Sequence, residues 1–143
     1  MALDYAALAK VLSEASKDPC HQVGAIVFDK FGNIRSTGYN GAPRGVKDRP
    51  ERYQKPLKQF YISHAEENAI AQAARTGVSL DNCNMLIWGK TPCANCARMI
   101  IQAGIKTVYF QQADIRLSNY KDSFEAAFQM FEEADVFVHY IEE

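Results

Sequence analysis

The sequence predicts an α/β fold, a three-layer α/β/α sandwich built on a five-stranded mixed sheet. Short apolar runs alternate with segments of helical periodicity along the second half of the chain, which is typical of helices packed on both faces of a sheet. A helical segment also separates the last two apolar runs, and such a crossover requires those two strands to be parallel. With 143 residues and no internal repeat, the chain is expected to form a single domain, residues 1–143.

The first half of the chain predicts a helix followed by a β-hairpin. Apolar residues recur at helical spacing over residues 3–15. Asp18-Pro19 is expected to end that helix, because proline cannot continue its hydrogen bonds. The apolar run 23–28 predicts a strand. Turn-forming residues occupy 29–33, and a second strand is expected over 34–39.

The rest of the chain predicts a long loop and then alternating helices and strands. Residues 40–63 carry no regular pattern, so we expect a functional loop, part of which forms a short helix. A solvated surface loop without function is the alternative. Helices are predicted at 64–75, 93–103 and 118–133, and strands at 84–89, 106–111 and 136–141. Gly77 and Gly104 are expected at the ends of the first two of these helices. Strand ends near Ser63 and Thr91 are expected to lead into them.

Composition narrows the classes of function. Hydrophobic residues make up 48% and charged residues 23% of the chain, which is ordinary for a soluble globular protein. The formal net charge of −1 gives no sign of the basic face that binds long nucleic acid. No apolar run reaches the ~18 residues of a membrane span, and no signal peptide is recognisable. We therefore expect an intracellular, cytoplasmic protein whose four cysteines are reduced.

The strongest motif runs from His64 to Cys96. It contains His64-Ala65-Glu66 and, further on, Pro92-Cys93-Ala94-Asn95-Cys96, which match the H-x-E…P-C-x-x-C signature of zinc nucleobase deaminases. One imidazole and two thiolates suit Zn²⁺, and three protein ligands leave its fourth position open, as in catalytic sites. Cysteines at a helix start are also more easily deprotonated, because of the helix dipole. We predict one catalytic zinc, held by His64, Cys93 and Cys96.

Glu66 is the predicted catalytic residue. It is expected to reach the open side of the zinc site, to move a proton from water to the ring nitrogen, and later to protonate the leaving amine. Simpler interpretations exist for each part of the motif: a redox C-x-x-C pair, a core histidine, or an acidic residue favoured at a helix start. Their coincidence in one chain favours the catalytic zinc. Cys20 and Cys83 are expected to be structural.

Beyond the zinc motif, nearly the whole chain resembles the deoxycytidylate (dCMP) deaminases of the cytidine/deoxycytidylate deaminase superfamily. The segments that carry the resemblance are Ser16-Lys-Asp-Pro19, Gln22-Val-Gly-Ala25, Gly38-Tyr-Asn-Gly41, Pro43, Gly45, His64-Ala-Glu66, Asn68-Ala-Ile70, Pro92-Cys93, Cys96-Ala97 and Ile100-Ile-Gln-Ala-Gly-Ile105. The resemblance implies a cytidine deaminase-like fold and hydrolysis of dCMP to dUMP and ammonia, which supplies the thymidylate precursor. It also implies that Asn40 hydrogen-bonds the deoxyribose and that the Ala65 backbone N–H binds the pyrimidine O2.

The resemblance further implies regulation and assembly. Family members are commonly homohexamers, activated by dCTP and inhibited by dTTP, and some compact members also accept dCTP as a substrate. Residues similar to parts of the effector site are Gln22, Gly24, Asn40, Gly41, Pro43 and Gly45. Candidates for binding the substrate phosphate are Arg116, Lys121 and a loop cation from Arg49 to Lys58. For any single one of these candidates, the sequence favours the simpler interpretation of an exposed cation without a specific contact. Cys20-His21 departs from the small polar residues more usual in the family.

Three other functions remain as alternatives. A tRNA adenosine deaminase shares the zinc motif but needs a basic surface, which a net charge of −1 does not favour. A free-nucleoside cytidine deaminase usually lacks a helix between its last two strands, unlike the helix predicted at 118–133. A zinc-bound nucleotide sensor without catalysis would have no need of Glu66 as a proton shuttle.

Overall fold

The computed structural model describes residues 3–112 and 120–142, which contain one five-stranded sheet. Its strands are β1 (Gly24–Phe28), β2 (Ile34–Tyr39), β3 (Asn84–Trp88), β4 (Thr107–Gln111) and β5 (Phe137–Ile141). They lie in the order β2-β1-β3-β4-β5. β1 pairs antiparallel with β2 and β3, whereas β3, β4 and β5 run parallel. The predicted mixed sheet with two parallel last strands is confirmed.

Helices cover both faces of this sheet. They are α1 (Tyr5–Ser13), α3 (Ala65–Thr76), α4 (Ala94–Gln102) and α5 (Lys121–Glu133). The short helix α2 (Lys58–Tyr61) lies in the loop between β2 and α3. α1 packs on one face against Ile26 and Leu86. α3, α4 and α5 pack on the other face around the larger core, where Phe110 and Phe131 are completely buried. The predicted three-layer α/β/α sandwich is therefore confirmed.

Helix α1 is shorter than the helix predicted at 3–15. Its start is fixed by Asp4, whose side chain accepts a hydrogen bond from the Ala7 backbone N–H at 3.0 Å. The helix ends at Ser13, well before Asp18-Pro19. The Ser13 hydroxyl donates to the Lys10 carbonyl at 2.6 Å, and a side chain that bonds back to the helix in this way weakens its continuation. Tighter i→i−3 turns then carry the chain to Ser16, so the helix has ended before Asp18-Pro19 is reached.

The other helix boundaries differ from prediction by small amounts. α3 and α4 begin one residue later than predicted, because His64 and Cys93 are N-caps with extended backbones. Gly77 and Gly104 have positive φ at the ends of these helices, as predicted. The predicted start of the last long helix at Ser118 lies outside the described residues. Among the described residues, no helix has the length and apolar character needed to cross a membrane.

The loop between β2 and α3 is closed at its base. It contains a 3₁₀ turn at Pro50–Tyr53 and the short helix α2, two helical pieces where one was predicted. Gly41 N–H donates to the Ser63 carbonyl at 3.1 Å, and Ser63 N–H donates to the Gly41 carbonyl at 2.9 Å. Ser63 thus lies in an isolated bridge and not at a strand end, which corrects the prediction. From this bridge the chain passes directly into α3.

Helix α3 lies very close to β2 because Gly38 has no side chain. A Cβ atom at Gly38 would lie 2.5 Å from both the Ala65 carbonyl oxygen and the Ala69 nitrogen. The Ser36 hydroxyl, on the same strand, donates to the Ala69 carbonyl at 2.6 Å. These contacts fix the first turn of α3 relative to the sheet.

Candidate metal centre and active site

The three predicted zinc ligands meet where two helices begin. His64 is the N-cap of α3, Cys93 is the N-cap of α4, and Cys96 is the third residue of α4. Glu67 secures the first of these helix starts, because its Oε1 accepts a hydrogen bond from the His64 backbone N–H at 3.1 Å. Helix starts present free N–H groups and the positive end of the helix dipole, which favour thiolates.

The ligand atoms are spaced as a zinc ion requires. His64 Nδ1 lies 3.3 Å from Cys96 Sγ and 3.6 Å from Cys93 Sγ. A tetrahedral zinc with ordinary Zn–N and Zn–S bonds separates nitrogen and sulfur ligands by about 3.5 Å. Over residues 3–112 and 120–142, this is the group of three metal-ligating side chains that could hold an ion. Cys20 is exposed and Cys83 is buried, and neither belongs to this group.

The contacts inside this triangle shift the pKa of each of its members. The hydrogen bond with Cys96 lowers the pKa of Cys93 to about 3. The same contact, together with burial, raises the pKa of Cys96. The hydrogen bond with Cys93 raises the pKa of His64. The Cys93 thiolate thus accepts hydrogen bonds from His64 and Cys96. A divalent cation bound at the centre of the triangle can take the place of these protons.

Glu66 is buried near the triangle without a partner. The residue is 1% exposed, and neither carboxylate oxygen has a hydrogen-bond partner among the described residues. Burial raises the pKa of Glu66, while the positive charges of His64 and Lys90 oppose that shift. Burying an unpaired carboxylate is unfavourable. Such a group is expected where water and substrate, and not the protein, provide its partners.

Ser123 and Gln111 form hydrogen bonds to the segment that carries the two cysteine ligands. Neither residue was identified from the sequence. The Ser123 Oγ of α5 accepts a hydrogen bond from the Ala94 backbone N–H, at the start of α4, at 2.9 Å. Gln111, at the end of β4, holds the loop before α4. Its Oε1 accepts from the Gly89 N–H at 2.7 Å, and its carbonyl accepts from the Thr91 hydroxyl at 3.1 Å. No spacing in the sequence points to Ser123 or Gln111, because the fold alone brings them there.

Asn40 is buried at the end of β2, and its side chain is already engaged. Its Oδ1 accepts from the Val23 N–H at 2.9 Å. Its Nδ2 donates to the His21 carbonyl at 2.8 Å and to Asp18 Oδ2 at 3.3 Å. Ala65 is completely buried as the first residue of α3, where a backbone N–H has no partner within the helix. The substrate contacts assigned to Asn40 and Ala65 stay predictions.

The residues predicted for the effector site are divided between the interior and the surface. Gly24 is buried in β1, where a Cβ atom would lie 2.1 Å from the Ala9 carbonyl oxygen. Asn40 and Gly41 are also buried. Gln22, Pro43 and Gly45 are exposed.

The cations predicted for the substrate phosphate have different surroundings. Arg49 is exposed, and the Lys121 Nζ lies 3.8 Å from Glu125 on the exposed face of α5. Arg116 lies outside the described residues. Lys58 is paired with Asp18 at 2.5 Å. Lys90, which the sequence analysis missed, precedes Cys93 by three residues, and its charge acts on both His64 and Glu66.

A centre with three protein ligands and a buried free acid defines a metal-dependent hydrolytic site on a mixed α/β sheet. The family model described as the cytidine and deoxycytidylate deaminase zinc-binding region matches residues 2–112. The chain belongs to this family of zinc-binding deaminases, and it is a hydrolytic deaminase with zinc as its cofactor.

Three curated proteins show the extent of the similarity. An uncharacterised deaminase in the luxG 3′ region of Aliivibrio fischeri is 38% identical over 135 residues, covering 94% of this chain and 88% of that protein. Human deoxycytidylate deaminase is 38% identical over 128 residues, covering 85% of this chain and 67% of that protein. A probable deoxycytidylate deaminase of Caenorhabditis elegans is 44% identical over 107 residues, covering 72% of this chain and 53% of that protein. The chain thus spans about half the length of the nematode relative.

Solved structures agree on the fold. The crystal structure of dCMP deaminase from the cyanophage S-TIM5 in complex with dCMP and dUMP has a TM-score of 0.73 and 29% identity, covering 96% of this chain and 93% of that chain. A diaminohydroxyphosphoribosylaminopyrimidine deaminase/5-amino-6-(5-phosphoribosylamino)uracil reductase from Thermotoga maritima has a TM-score of 0.64 and 22% identity, covering 94% of this chain and 34% of that chain. The second similarity shows the shared fold alone.

Proposed function

We propose that this protein is a deoxycytidylate deaminase, which converts dCMP and water into dUMP and ammonia and thereby supplies the thymidylate precursor. One observation carries the chemical part of this proposal. The Glu66 carboxylate is buried without a protein partner, two residues from the first member of the His64–Cys93–Cys96 triangle. A structural zinc site has four protein ligands and needs no free acid. Three ligands with a free acid support hydrolysis.

The reaction replaces the exocyclic C4–N bond of cytosine by a C4–O bond. Zinc held by His64, Cys93 and Cys96 would supply an activated water for attack at C4. Glu66 accepts one proton from the attacking water and donates it to ring N3, where it remains in the product. Glu66 then carries the second proton of that water to the C4 amino group, which leaves as ammonia. Its carboxylate makes no hydrogen bond to the described protein that it would have to break first.

The choice of dCMP is supported by the named relatives. Human deoxycytidylate deaminase and the S-TIM5 dCMP deaminase, whose structure contains dCMP and dUMP, both match most of this chain. We propose that the Ala65 N–H, at the start of α3, donates to the pyrimidine O2 and that Asn40 binds the deoxyribose. Small nucleotides are the proposed partners, because a net charge of −1 does not favour long nucleic acid.

A substrate panel tests this proposal. Zinc-loaded protein is incubated with dCMP, dCTP, deoxycytidine or a tRNA anticodon stem, and ammonia release is followed. We expect the highest kcat/KM with dCMP and little turnover of deoxycytidine or the anticodon stem. Activity on deoxycytidine but not on dCMP would contradict the substrate assignment. The dCTP reaction decides whether the triphosphate is also a substrate.

We further propose a cytoplasmic homohexamer that dCTP activates and dTTP inhibits, as the family resemblance implies. The exposure of Gln22, Pro43 and Gly45 supports their access to an effector. Saturation curves for dCMP are measured with and without each nucleotide, and the mass in solution is measured by light scattering. A flat response to both nucleotides would contradict the regulation. A monomer mass would contradict the assembly.

The substrate phosphate is proposed to bind Arg49, Arg116 or Lys121. Arg49 and Lys121 are exposed, so neither has to leave the protein interior to reach a ligand. Replacing the binding cation by alanine should raise KM for dCMP while leaving the weaker turnover of deoxycytidine unchanged. Unchanged KM for dCMP in all three variants would exclude these residues.

A further inference from the structure

Asp18 is a buried charge that neither the metal centre nor the core explains. The residue is 2% exposed. Its Oδ1 accepts hydrogen bonds from the Cys20 N–H at 2.8 Å and the His21 N–H at 3.2 Å. Its Oδ2 accepts from the Lys58 Nζ at 2.5 Å and from the Asn40 Nδ2 at 3.3 Å. The carboxylate therefore uses all four of its acceptor positions.

Lys58, the cationic partner of Asp18, lies in the long loop between β2 and α3. It is the first residue of α2, and its side chain is 28% exposed, whereas the Asp18 side chain is 0% exposed. A second set of contacts joins the same two segments. Asp48 lies 3.1 Å from the Lys17 Nζ and accepts a hydrogen bond from the Tyr53 hydroxyl at 2.7 Å. A buried ion pair contributes little net stability, so the role of this one is sought in the geometry that it fixes between two distant segments.

The geometry that Asp18 fixes is the orientation of the Asn40 amide. Both Nδ2 hydrogens are used, by Asp18 and His21, and Oδ1 accepts from the Val23 N–H. A flipped amide would place its NH₂ group against the Val23 N–H and its oxygen against two acceptors. The position still free on Asn40 is the second lone pair of Oδ1. Asn40 can therefore accept a further hydrogen bond and cannot donate one.

This cluster lies next to the metal centre along the chain. Asn40 precedes Gly41, Gly41 is paired with Ser63, and Ser63 precedes the ligand His64. The Ser16 hydroxyl adds a contact by donating to the Asn40 carbonyl at 2.9 Å. One bridged pair of residues, Gly41 and Ser63, thus separates Asn40 from the first zinc ligand.

We propose that Asp18, held by Lys58, is a positioning residue that directs the Oδ1 of Asn40 toward the 3′-hydroxyl of the substrate sugar. The inference rests on the proposed dCMP deaminase function. A deoxyribose in dCMP has one free hydroxyl, and the acceptor on Asn40 is complementary to it. Neutralising Asp18 would weaken the acceptor of one Nδ2 hydrogen, and removing Lys58 would let the Asp18 carboxylate shift. Either change would loosen an amide that the His21 carbonyl and the Val23 N–H then hold alone.

The test compares Asp18→Asn, Lys58→Met and Lys58→Arg in zinc-loaded protein. Asp29→Asn is the matched control, because Asp29 is also buried, also accepts backbone N–H groups and also pairs with a cation, Arg35, at 2.9 Å. It lies at the turn of the β1–β2 hairpin, at the opposite end from Asn40. Zinc content, kcat and KM are measured with dCMP and with its 2′,3′-dideoxy analogue.

We expect Asp18→Asn and Lys58→Met to raise KM for dCMP by about tenfold, equivalent to about 1.4 kcal/mol. Zinc content should be unchanged, and kcat should stay within about threefold of wild type. Lys58→Arg, which keeps the positive charge, and the control Asp29→Asn should both have the wild-type KM for dCMP. Wild type should lose about tenfold in kcat/KM on the dideoxy analogue, and Asp18→Asn less than about twofold, because the sugar contact is already lost.

Equal losses on the analogue in wild type and Asp18→Asn would overturn the positioning role while leaving the dCMP assignment intact. Absence of dCMP turnover by wild type would instead overturn the proposed function, and this inference with it. If Asp18→Asn does not fold, Lys58→Met decides, since it keeps both backbone hydrogen bonds of Asp18. An unchanged KM and unchanged analogue ratio in Lys58→Met would then reject the proposal.

Discussion

Glu66 should affect stability and turnover in opposite directions. Its charge is buried without a partner, so a neutral amide of similar size is easier to bury. We expect Glu66→Gln to keep its zinc and its thermal stability, or to gain stability, while kcat falls by about 10²–10⁴-fold. Metal content, thermal unfolding and ammonia release from dCMP measure the three properties.

Glu125→Gln provides the comparison for this variant. It makes the same chemical change on the exposed face of α5 and should alter none of the three properties. Near wild-type turnover in Glu66→Gln would contradict the role of proton shuttle. Loss of zinc from that variant would show that Glu66 is a ligand and not a catalytic acid–base group.

The metal site could be predicted from the sequence because its geometry is local. Cys93 and Cys96 fall on one helical turn, and Glu66 follows His64 by two residues at another helix start. The hydrogen bonding of Asn40 could not be predicted in this way. Its side-chain partners lie between 17 and 22 residues away along the chain, and only the folded hairpin brings them together.

At the scale of the elements, the contact between β2 and α3 depends on Gly38. A methyl group there would lie 2.5 Å from two backbone atoms of α3, so the helix would have to move. We expect Gly38→Ala to lower the free energy of unfolding by about 1–3 kcal/mol. It should also weaken zinc binding, because His64 begins the displaced helix. Urea unfolding and competition with a zinc chelator measure these effects.

Gly41→Ala is the control for that substitution. The nearest atom to a Cβ at Gly41 is the Tyr53 hydroxyl oxygen, at an ordinary contact distance of 3.8 Å. This variant should retain the wild-type free energy of unfolding within about 0.5 kcal/mol. If both alanine variants are equally stable, the close approach of α3 to β2 is not what excludes a side chain at Gly38.

The contact between α5 and α4 predicts a further effect on the metal centre. Ser123 Oγ accepts the backbone N–H of Ala94, which follows the ligand Cys93. We expect Ser123→Ala to lower stability by about 0.5–2 kcal/mol, as loss of a helix cap does. It should also lower zinc affinity, whereas Ser123→Thr, which keeps a hydroxyl, should retain more of it. Chelator competition tests this, and equal affinities of the two variants would contradict it.

The order and type of the main elements could be predicted because apolar periodicity depends on local burial. The end of α1 could not, since the helix stops at Ser13, several residues before the expected proline. The predicted strand end at Ser63 was wrong for a different reason. That residue pairs with Gly41 across the whole length of the loop, and a long-range bridge of this kind leaves no periodic pattern in the sequence.

For the whole molecule, buried aspartates predict acid sensitivity. Burial opposes ionisation of Asp18, but the hydrogen bonds from Lys58 and two backbone N–H groups hold its pKa below 3.8. Backbone hydrogen bonds and Arg35 likewise outweigh desolvation and lower the pKa of Asp29. A carboxylate whose pKa is lower in the folded than in the unfolded state stabilises the folded state. This stabilisation is complete at pH values above the unfolded-state pKa and is lost as the pH falls through the folded-state pKa.

We therefore expect the free energy of unfolding to decrease below about pH 4, and to decrease less steeply in Asp18→Asn. Urea unfolding of both proteins at a series of pH values from about 6 to about 3 measures the difference in slope. Protonation of the zinc ligands affects the two proteins alike, so the comparison isolates Asp18. Parallel curves would show that this carboxylate titrates equally in the folded and unfolded states.

The bridge between Gly41 and Ser63 closes the loop between them at its base. Its two ends meet at one point, so the path of the backbone into His64 does not depend on what lies between them. Loop-closure entropy changes by only about 0.6 kcal/mol for each doubling of loop length. The length and sequence of this stretch can therefore be changed without moving His64, provided that the contacts of Asp48 and Lys58 are retained.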